Sequence, residues 1–169
     1  MIRRLARLAP VIVLLPLLAA CVTTPREPEP PTLVLDGGGL LPNSGPLRID
    51  FGREQTGVID VVSRLLDETP VSVSTNTECG AGPVTAATWE DGLTLNFLDG
   101  AFAGWTSSDP AFPVAGGFVA GQPRLEMPQT SFQVTTLGTE FNRGDIFGLL
   151  NAEETEVGLL WAGVTCFFR

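Results

Sequence analysis

The sequence predicts an α+β domain, with one or two helices packed on an antiparallel β-sheet that forms a meander, and with one disulfide. Three observations support this. Apolar residues recur at helical spacing over 56–67, and two Asp-Gly pairs bracket an alternating stretch at 93–98. Two cysteines, Cys79 and Cys166, lie on either side of that stretch. The helix is therefore expected before the sheet, and the disulfide is expected to tie the sheet to the end of the chain.

The helix is predicted over 56–67, where apolar side chains are three and four residues apart. Thr56 is a plausible N-cap residue, because its hydroxyl can accept a backbone N–H hydrogen bond. Pro70 is expected to end the helix, because proline disfavours helical backbone in the residue before it. The apolar positions on the predicted inner face are Val58, Val61, Val62, Leu65 and Leu66.

The meander is predicted as three strands at 84–89, 93–98 and 101–105. Asp91-Gly92 and Asp99-Gly100 separate them, and such pairs favour the positive φ angles of tight hairpins. The glycine-rich stretch 35–45 lacks the GK[ST] motif of a phosphate-binding loop and is read as an ordinary loop. Further strands are predicted at 47–51, 71–75, 117–120, 132–136 and 157–168, the last either buried on both faces or bent at Gly163.

Composition excludes many enzyme classes. The 169 residues include 19 acidic residues and 10 arginines, and no lysine, tyrosine or histidine. Without histidine or lysine there is no Ser-His-Asp triad, imidazole zinc site, Schiff base or Ser-Lys pair. Glu90 and Asp91 fit a hairpin turn, and the acidic run at 153–156 fits a solvated loop. We expect a non-enzymatic protein with no metal site and no cofactor.

A segment dense in aromatic residues is the candidate partner-binding site. Phe102, Trp105 and Phe112 lie in a stretch rich in proline, glycine and serine at 101–118. Aromatic side chains on an exposed loop are typical anchors of protein interfaces. The alternative is that they close one end of the hydrophobic core.

The N-terminus carries an export signal. Three arginines precede an apolar run at 8–20, which is shorter than the roughly 20 residues of a membrane-spanning helix. Leu18-Ala19-Ala20-Cys21 follows this pattern and resembles the lipobox of bacterial lipoproteins. The resemblance implies cleavage before Cys21 and acylation of that cysteine, with diacylglycerol and a fatty acid such as palmitate. The alternative is an ordinary signal peptide with a chance cysteine.

The lipobox sets the predicted domain organisation. Residues 1–20 are the cleaved signal, 21–32 are the lipidated cysteine and a proline-rich linker, and 33–169 are one periplasmic domain. Val22, in place of an aspartate, implies sorting to the outer membrane and its periplasmic face. The mature chain has 7 arginines against 19 acidic residues, a net charge of −12. This charge argues against nucleic-acid binding and allows a cationic partner.

Cys79 and Cys166 are the cysteines left after lipidation, and in an exported chain they predict a disulfide. It would close a loop of about 87 residues and contribute roughly 4 kcal/mol in the chain-entropy model. Two free thiols or a redox pair are the alternatives, although the chain has no CxxC motif.

A second resemblance concerns layout alone. A short helix followed by a proline and by hairpins with the sequence DGLTLNFLDG is similar to the helix-on-sheet units of the β-lactamase-inhibitor-protein-like fold. The similarity covers about 50–105, and the family's glycine-rich helix start is only approximated by 51–56. Small lipoproteins of the outer-membrane assembly machinery share this fold. No functional residue is transferred from it.

These observations together predict an acylated envelope lipoprotein that binds or scaffolds another envelope protein. An inhibitor of a hydrolase is one alternative, and it would need a protruding loop that fits an active site. A carrier of a lipid or small ligand is another, and it would need an apolar cavity enclosed by the sheet.

Overall fold

The structure, a computed structural model, describes residues 32–43 and 46–167. In this part of the chain it contains one α-helix, α1 (Gln55–Leu66), and one 3-10 turn (Arg124–Glu126). The strands are β1 (Leu33–Asp36), β2 (Gly39–Pro42), β3 (Ile49–Asp50), β4 (Ser72–Asn76), β5 (Val84–Thr88), β6 (Leu93–Leu98), β7 (Ala101–Ser107), β8 (Phe132–Val134), β9 (Thr139–Arg143), β10 (Ile146–Leu150) and β11 (Val157–Gly163).

Eight strands form one antiparallel sheet in the order β4-β5-β6-β7-β11-β10-β9-β8. Two four-stranded meanders, β4–β7 and β8–β11, therefore meet through their last strands at the centre of the sheet. Strands β1, β2 and β3 make a separate small sheet. The predicted α+β class is confirmed in outline, because the structure has one helix, a mostly antiparallel sheet and the disulfide.

The core lies on the face of the large sheet that packs against α1 and the small sheet. Alternation along β6, β7 and β11 directs one set of side chains to this face. Val58 and Val62 on α1 and Leu35 on β1 are buried against them. The inward-facing side chains at the centre of the sheet are Leu93, Leu95, Phe97, Phe102, Trp105, Leu160 and Ala162.

The helix has different caps from those predicted. Glu54 is the N-cap, and its carboxylate oxygens accept hydrogen bonds from the backbone N–H groups of Thr56 and Gly57, both at 2.8 Å. These bonds lower the pKa of Glu54, the Thr56 bond most strongly. The prediction of Thr56 as N-cap is wrong, because the helix already begins at Gln55 and Glu54 occupies the N-cap position. At the other end Asp67, with φ 55°, forms a left-handed C-cap before Pro70 is reached.

The meander is confirmed as β5, β6 and β7, whereas two other strand predictions and one loop prediction need correction. The stretch at 117–120 is not a strand; Phe118 forms only an isolated bridge with Val114. The supposed loop at 35–45 contains most of the β1–β2 hairpin. The last strand stops at Gly163, where φ is +70°. A side chain at this glycine would collide with the carbonyl oxygen of Ala103 on β7.

The disulfide between Cys79 and Cys166 is confirmed, with Cα atoms 5.2 Å apart. It joins the β4–β5 connection to the segment that follows β11. The same segment is held by a hydrogen bond from Asn96 Nδ2 to the carbonyl oxygen of Val164, at 3.0 Å. The last described residues are thus fastened across the outer face of the first meander.

Candidate interaction surface

The three aromatic residues predicted as partner anchors are in the core. Phe102, Trp105 and Phe112 are 1%, 0% and 3% exposed. Phe102 and Trp105 point inward because they occupy core-facing positions of β7, and the indole Nε1 of Trp105 donates a hydrogen bond to the carbonyl oxygen of Asp36, at 2.8 Å. The surface-anchor prediction is therefore corrected: these side chains hold the two sheets together.

The segment between β7 and β8 also lies against the core. Phe112, Val114, Phe118 and Met127 are buried along its length. The guanidinium of Arg143 covers the Phe118 ring, 4.4 Å from its centroid. The large apolar residues Phe112, Val114, Phe118 and Met127 therefore anchor this segment in the core.

Cys21 lies outside the described residues, as do the predicted signal and most of the linker. The described chain begins next to β1, where the carbonyl oxygen of Thr32 accepts a hydrogen bond from Asn43 at 3.1 Å. No helix of the described part is long and apolar enough to cross a membrane.

The open edge of the large sheet is strand β4. All five of its residues are exposed, and they pair only with β5. Val71 and Val73 are 63% and 53% exposed. The strand has no proline and no charged side chain, which are common devices for blocking sheet edges. The backbone N–H and C=O groups on its outer side thus form an accessible template for another strand.

The opposite edge, β8, is less accessible. It has three residues, and the guanidinium of Arg124 lies over the ring of Phe132, 4.6 Å from the centroid. Arg124 is itself held by an ion pair with Glu154, at 3.0 Å. The two edges of one sheet therefore differ, and β4 is the longer and barer one.

Exposed carboxylates flank β4. Glu68 lies shortly before the strand and Glu78 shortly after it, and both are exposed. In the described residues neither forms an ion pair, whereas Asp36 and Asp50 both pair with Arg48. Partial burial opposes ionisation of Asp36, but its hydrogen bond with Arg48 keeps its pKa below the usual value. The neighbourhood of β4 thus carries uncompensated negative charge.

The carboxylates considered as catalytic candidates do not come together. Glu90 and Asp91 lie exposed at the β5–β6 turn. In the acidic run at 153–156, Glu154 accepts hydrogen bonds from Thr139 Oγ1, at 2.6 Å, and from Arg124, and these lower its pKa, the Thr139 bond most strongly. The described residues contain no group of three side chains suited to hold a metal ion.

Two surface clefts are relevant to ligand binding. One, of about 420 Å³, lies between α1 and the chain around β3, and it is apolar. The other, of about 460 Å³, lies over β8, β9 and β10 and includes Glu140, a buried carboxylate that the sequence reasoning missed. In the sequence, Glu140 is marked only by its position between Thr139 and Phe141 in an alternating stretch. The residues of the second cleft are Ser131, Phe132, Gln133, Thr135, Glu140, Phe141, Asn142 and Phe147.

Comparison with known proteins supports the fold and leaves the activity open. No family model and no curated protein matches the chain. Among solved structures, the chain is similar to the uncharacterized protein yfeY from Escherichia coli, with a TM-score of 0.52 and 12% identity. The match covers 77% of this chain and 99% of that one. At this identity the likeness concerns the fold alone.

Proposed function

We propose that the protein is an acylated envelope lipoprotein, attached to the outer membrane through Cys21, that binds an extended segment of another envelope protein along β4. The role is non-enzymatic. The attachment rests on the resemblance to the lipobox, and the observation that carries the binding mode is the bare, fully exposed edge of β4.

Strand addition suits this edge physically. Five residues of an antiparallel strand extend about 17 Å and offer backbone hydrogen bonds to an added strand. Val73 gives the added strand an apolar neighbour on one face. Glu68 and Glu78, at the two ends, favour a partner segment with basic residues near its own ends.

The two alternatives have less support. An inhibitor would need a protruding loop, and the aromatic residues Phe112 and Phe118 of the β7–β8 segment are instead packed on the core. A carrier would need space between the sheet and α1, and Trp105 and Phe97 fill that space. Strand addition needs neither feature.

The proposal is tested by photocrosslinking in cells, with a photoreactive residue at Asn76 on β4 or, as the matched control, at Val134 on β8. We expect one envelope protein to crosslink from Asn76 and not from Val134. Adding Ser74→Lys should abolish the crosslink, because a long charged side chain obstructs edge pairing. Equal crosslinking from both edges, or a crosslink that survives Ser74→Lys, would contradict binding through β4.

The membrane attachment has its own test. Cys21→Ser should move the protein from the membrane fraction to the soluble fraction, because it removes the only proposed site of acylation. Retention of this variant in the membrane fraction would refute the lipobox assignment and leave the β4 experiment unaffected.

A further inference from the structure

A third cleft lies beside the 3-10 turn of the β7–β8 segment, and its walls suit a long side chain. Its volume of about 430 Å³ is within the range of small-molecule sites, about 300–1,000 Å³. Pro110, Val119 and Pro123 supply most of the apolar wall. Among the described residues that line it, none is basic or aromatic. Such a wall can cover the aliphatic stem of a lysine or an arginine.

The side-chain amide of Gln122, in this cleft, has an acceptor without a partner. Its Oε1 atom is buried, and no donor in the described part of the chain reaches it. The backbone of the same residue is fixed, since its N–H donates to Val119 at 3.1 Å and its carbonyl oxygen accepts from Val157 at 2.9 Å. Buried polar atoms are rarely left unpaired. Because no hydrogen bond holds the amide oxygen, it can turn into the cleft and accept a bond from a ligand.

Glu126 adds a carboxylate to the same cleft. It is exposed, and it forms no ion pair within the described residues. Two arginines on neighbouring segments are held by other groups, Arg124 by Glu154 at 3.0 Å and Arg143 by the carbonyl oxygen of Gly116 at 2.7 Å. An anionic ligand would therefore meet a carboxylate with no free cation beside it. A cationic donor would be attracted.

A guanidinium group matches this pair of acceptors. Its five N–H donors lie in one plane, so it can bond a carboxylate and an amide oxygen at the same time. The methylene groups of an arginine would then pack along Pro110 and Pro123, on the apolar wall. The cleft thus suits an arginine in both its apolar and its polar part.

Leu125 indicates that the arginine belongs to a polypeptide. This leucine is 92% exposed at the centre of the turn. The turn is fixed on both sides of it, because the backbone N–H of Arg124 donates to Thr155 at 2.8 Å and Met127 is buried. A side chain on a rigid turn loses little entropy on binding. Leu125 can therefore contact an apolar residue next to the arginine, a contact that a free small cation would not make.

We propose that this cleft binds an arginine side chain of a partner polypeptide, with the guanidinium bonded to Gln122 and Glu126 and an apolar neighbour of the arginine against Leu125. The site does not depend on strand addition at β4. It lies beside the start of β11, where Pro123 forms an isolated bridge with Glu156.

The test is a nuclear magnetic resonance titration of the full chain carrying Cys21→Ser. The probe is the peptide acetyl-leucyl-arginyl-leucinamide, and the control is the same peptide with citrulline, which keeps the shape of arginine and lacks its charge. We expect saturable shifts of the amide signals of Gly117, Gly121 and Gln122 with the arginine peptide. The citrulline peptide should bind about tenfold more weakly. Spermidine, a free cation, should not shift these signals.

Matched variants locate the binding. Glu126→Gln should raise the Kd of the arginine peptide about tenfold, Gln122→Leu about fivefold and Leu125→Ala about threefold. Glu90→Gln, which removes an exposed carboxylate at the β5–β6 turn, should leave it unchanged. Unaltered amide signals away from the cleft show that each variant is folded. The proposal is overturned if the arginine peptide does not bind, if the citrulline peptide or spermidine binds the cleft as tightly, or if Glu126→Gln and Gln122→Leu both bind as tightly as the parent.

Discussion

Gly148 on β10 provides the sharpest test of how the second meander packs. The ring of Phe141 on β9 lies directly over this glycine, where a side chain would otherwise stand. In Gly148→Ala the added Cβ would collide with the ring tip, and would lie 2.5 Å from Cε1 and 2.7 Å from Cε2. Carbon atoms in contact are normally about 3.5–4.0 Å apart. The ring would therefore have to retreat by about 1 Å or more.

The ring has little room to retreat. Phe118 and Phe132 contact it edge-to-face, with centroids 5.0 and 5.7 Å away. Overpacking a filled core costs about 1–3 kcal/mol. Alanine loses less conformational entropy than glycine on folding, and this offsets about 0.4–1 kcal/mol of the overpacking cost. We expect Gly148→Ala to lower the free energy of unfolding by about 1–1.5 kcal/mol.

Urea unfolding followed by circular dichroism measures this loss. Gly80→Ala is the control, because its added Cβ meets nothing within 4 Å, and it should change stability by less than about 0.5 kcal/mol. Phe141→Leu shortens the side chain that collides, so combining it with Gly148→Ala should cost less than the sum of the single changes by about 1 kcal/mol. A neutral Gly148→Ala, or strictly additive effects, would refute this account of the packing.

Three other predictions concern the disulfide, an indole hydrogen bond and the helix cap. Replacing both Cys79 and Cys166 with serine should lower the free energy of unfolding by about 4 kcal/mol, because without the disulfide the 87-residue loop is no longer closed in the unfolded chain. A loss below about 1 kcal/mol in urea unfolding would contradict this. Trp105→Phe leaves the carbonyl oxygen of Asp36 without its 2.8 Å donor and should cost about 1–3 kcal/mol in the same assay, whereas an unchanged midpoint would show that water replaces the indole. Hydrogen bonds from the backbone N–H groups of Thr56 and Gly57 lower the pKa of Glu54 in the folded protein. The cap therefore stabilises the protein at pH values above the usual pKa of glutamate, and this contribution is lost as the pH falls through the lower folded pKa. Glu54→Gln should reduce this part of the acid dependence of stability, and identical pH profiles of the two proteins would count against the cap.

Residues close in the chain were predicted well when a turn signal separated two periodic stretches. Asp91-Gly92 and Asp99-Gly100 predicted the central meander because each hairpin depends on a few adjacent residues. Asp36-Gly37 carries the same signal between β1 and β2, yet the run of three glycines was read as a loop. The helix cap was misplaced for a similar local reason, since a glutamate, which is not among the preferred N-cap residues, caps the helix two residues before the threonine.

The aromatic residues at 101–118 were misjudged because proline and glycine around them suggested exposure. Phe112 is buried although the segment around it is irregular, since it packs against distant parts of the chain. Composition describes the segment itself, whereas burial depends on what other elements cover it. For the same reason the sequence did not predict that Gly148 lies opposite Phe141 in the sheet.

The helix, the central meander and the disulfide between Cys79 and Cys166 could be predicted from the sequence, whereas the lipobox at Cys21 stays a prediction. These features depend on local periodicity, on turn residues or on a short motif. That β4 is an open edge, and that Phe147 and Glu140 line the same cleft, follows only from how the chain folds. The position of a strand in a sheet and the neighbours of a side chain follow from the order in which distant strands pair, and that order is a property of the whole folded chain.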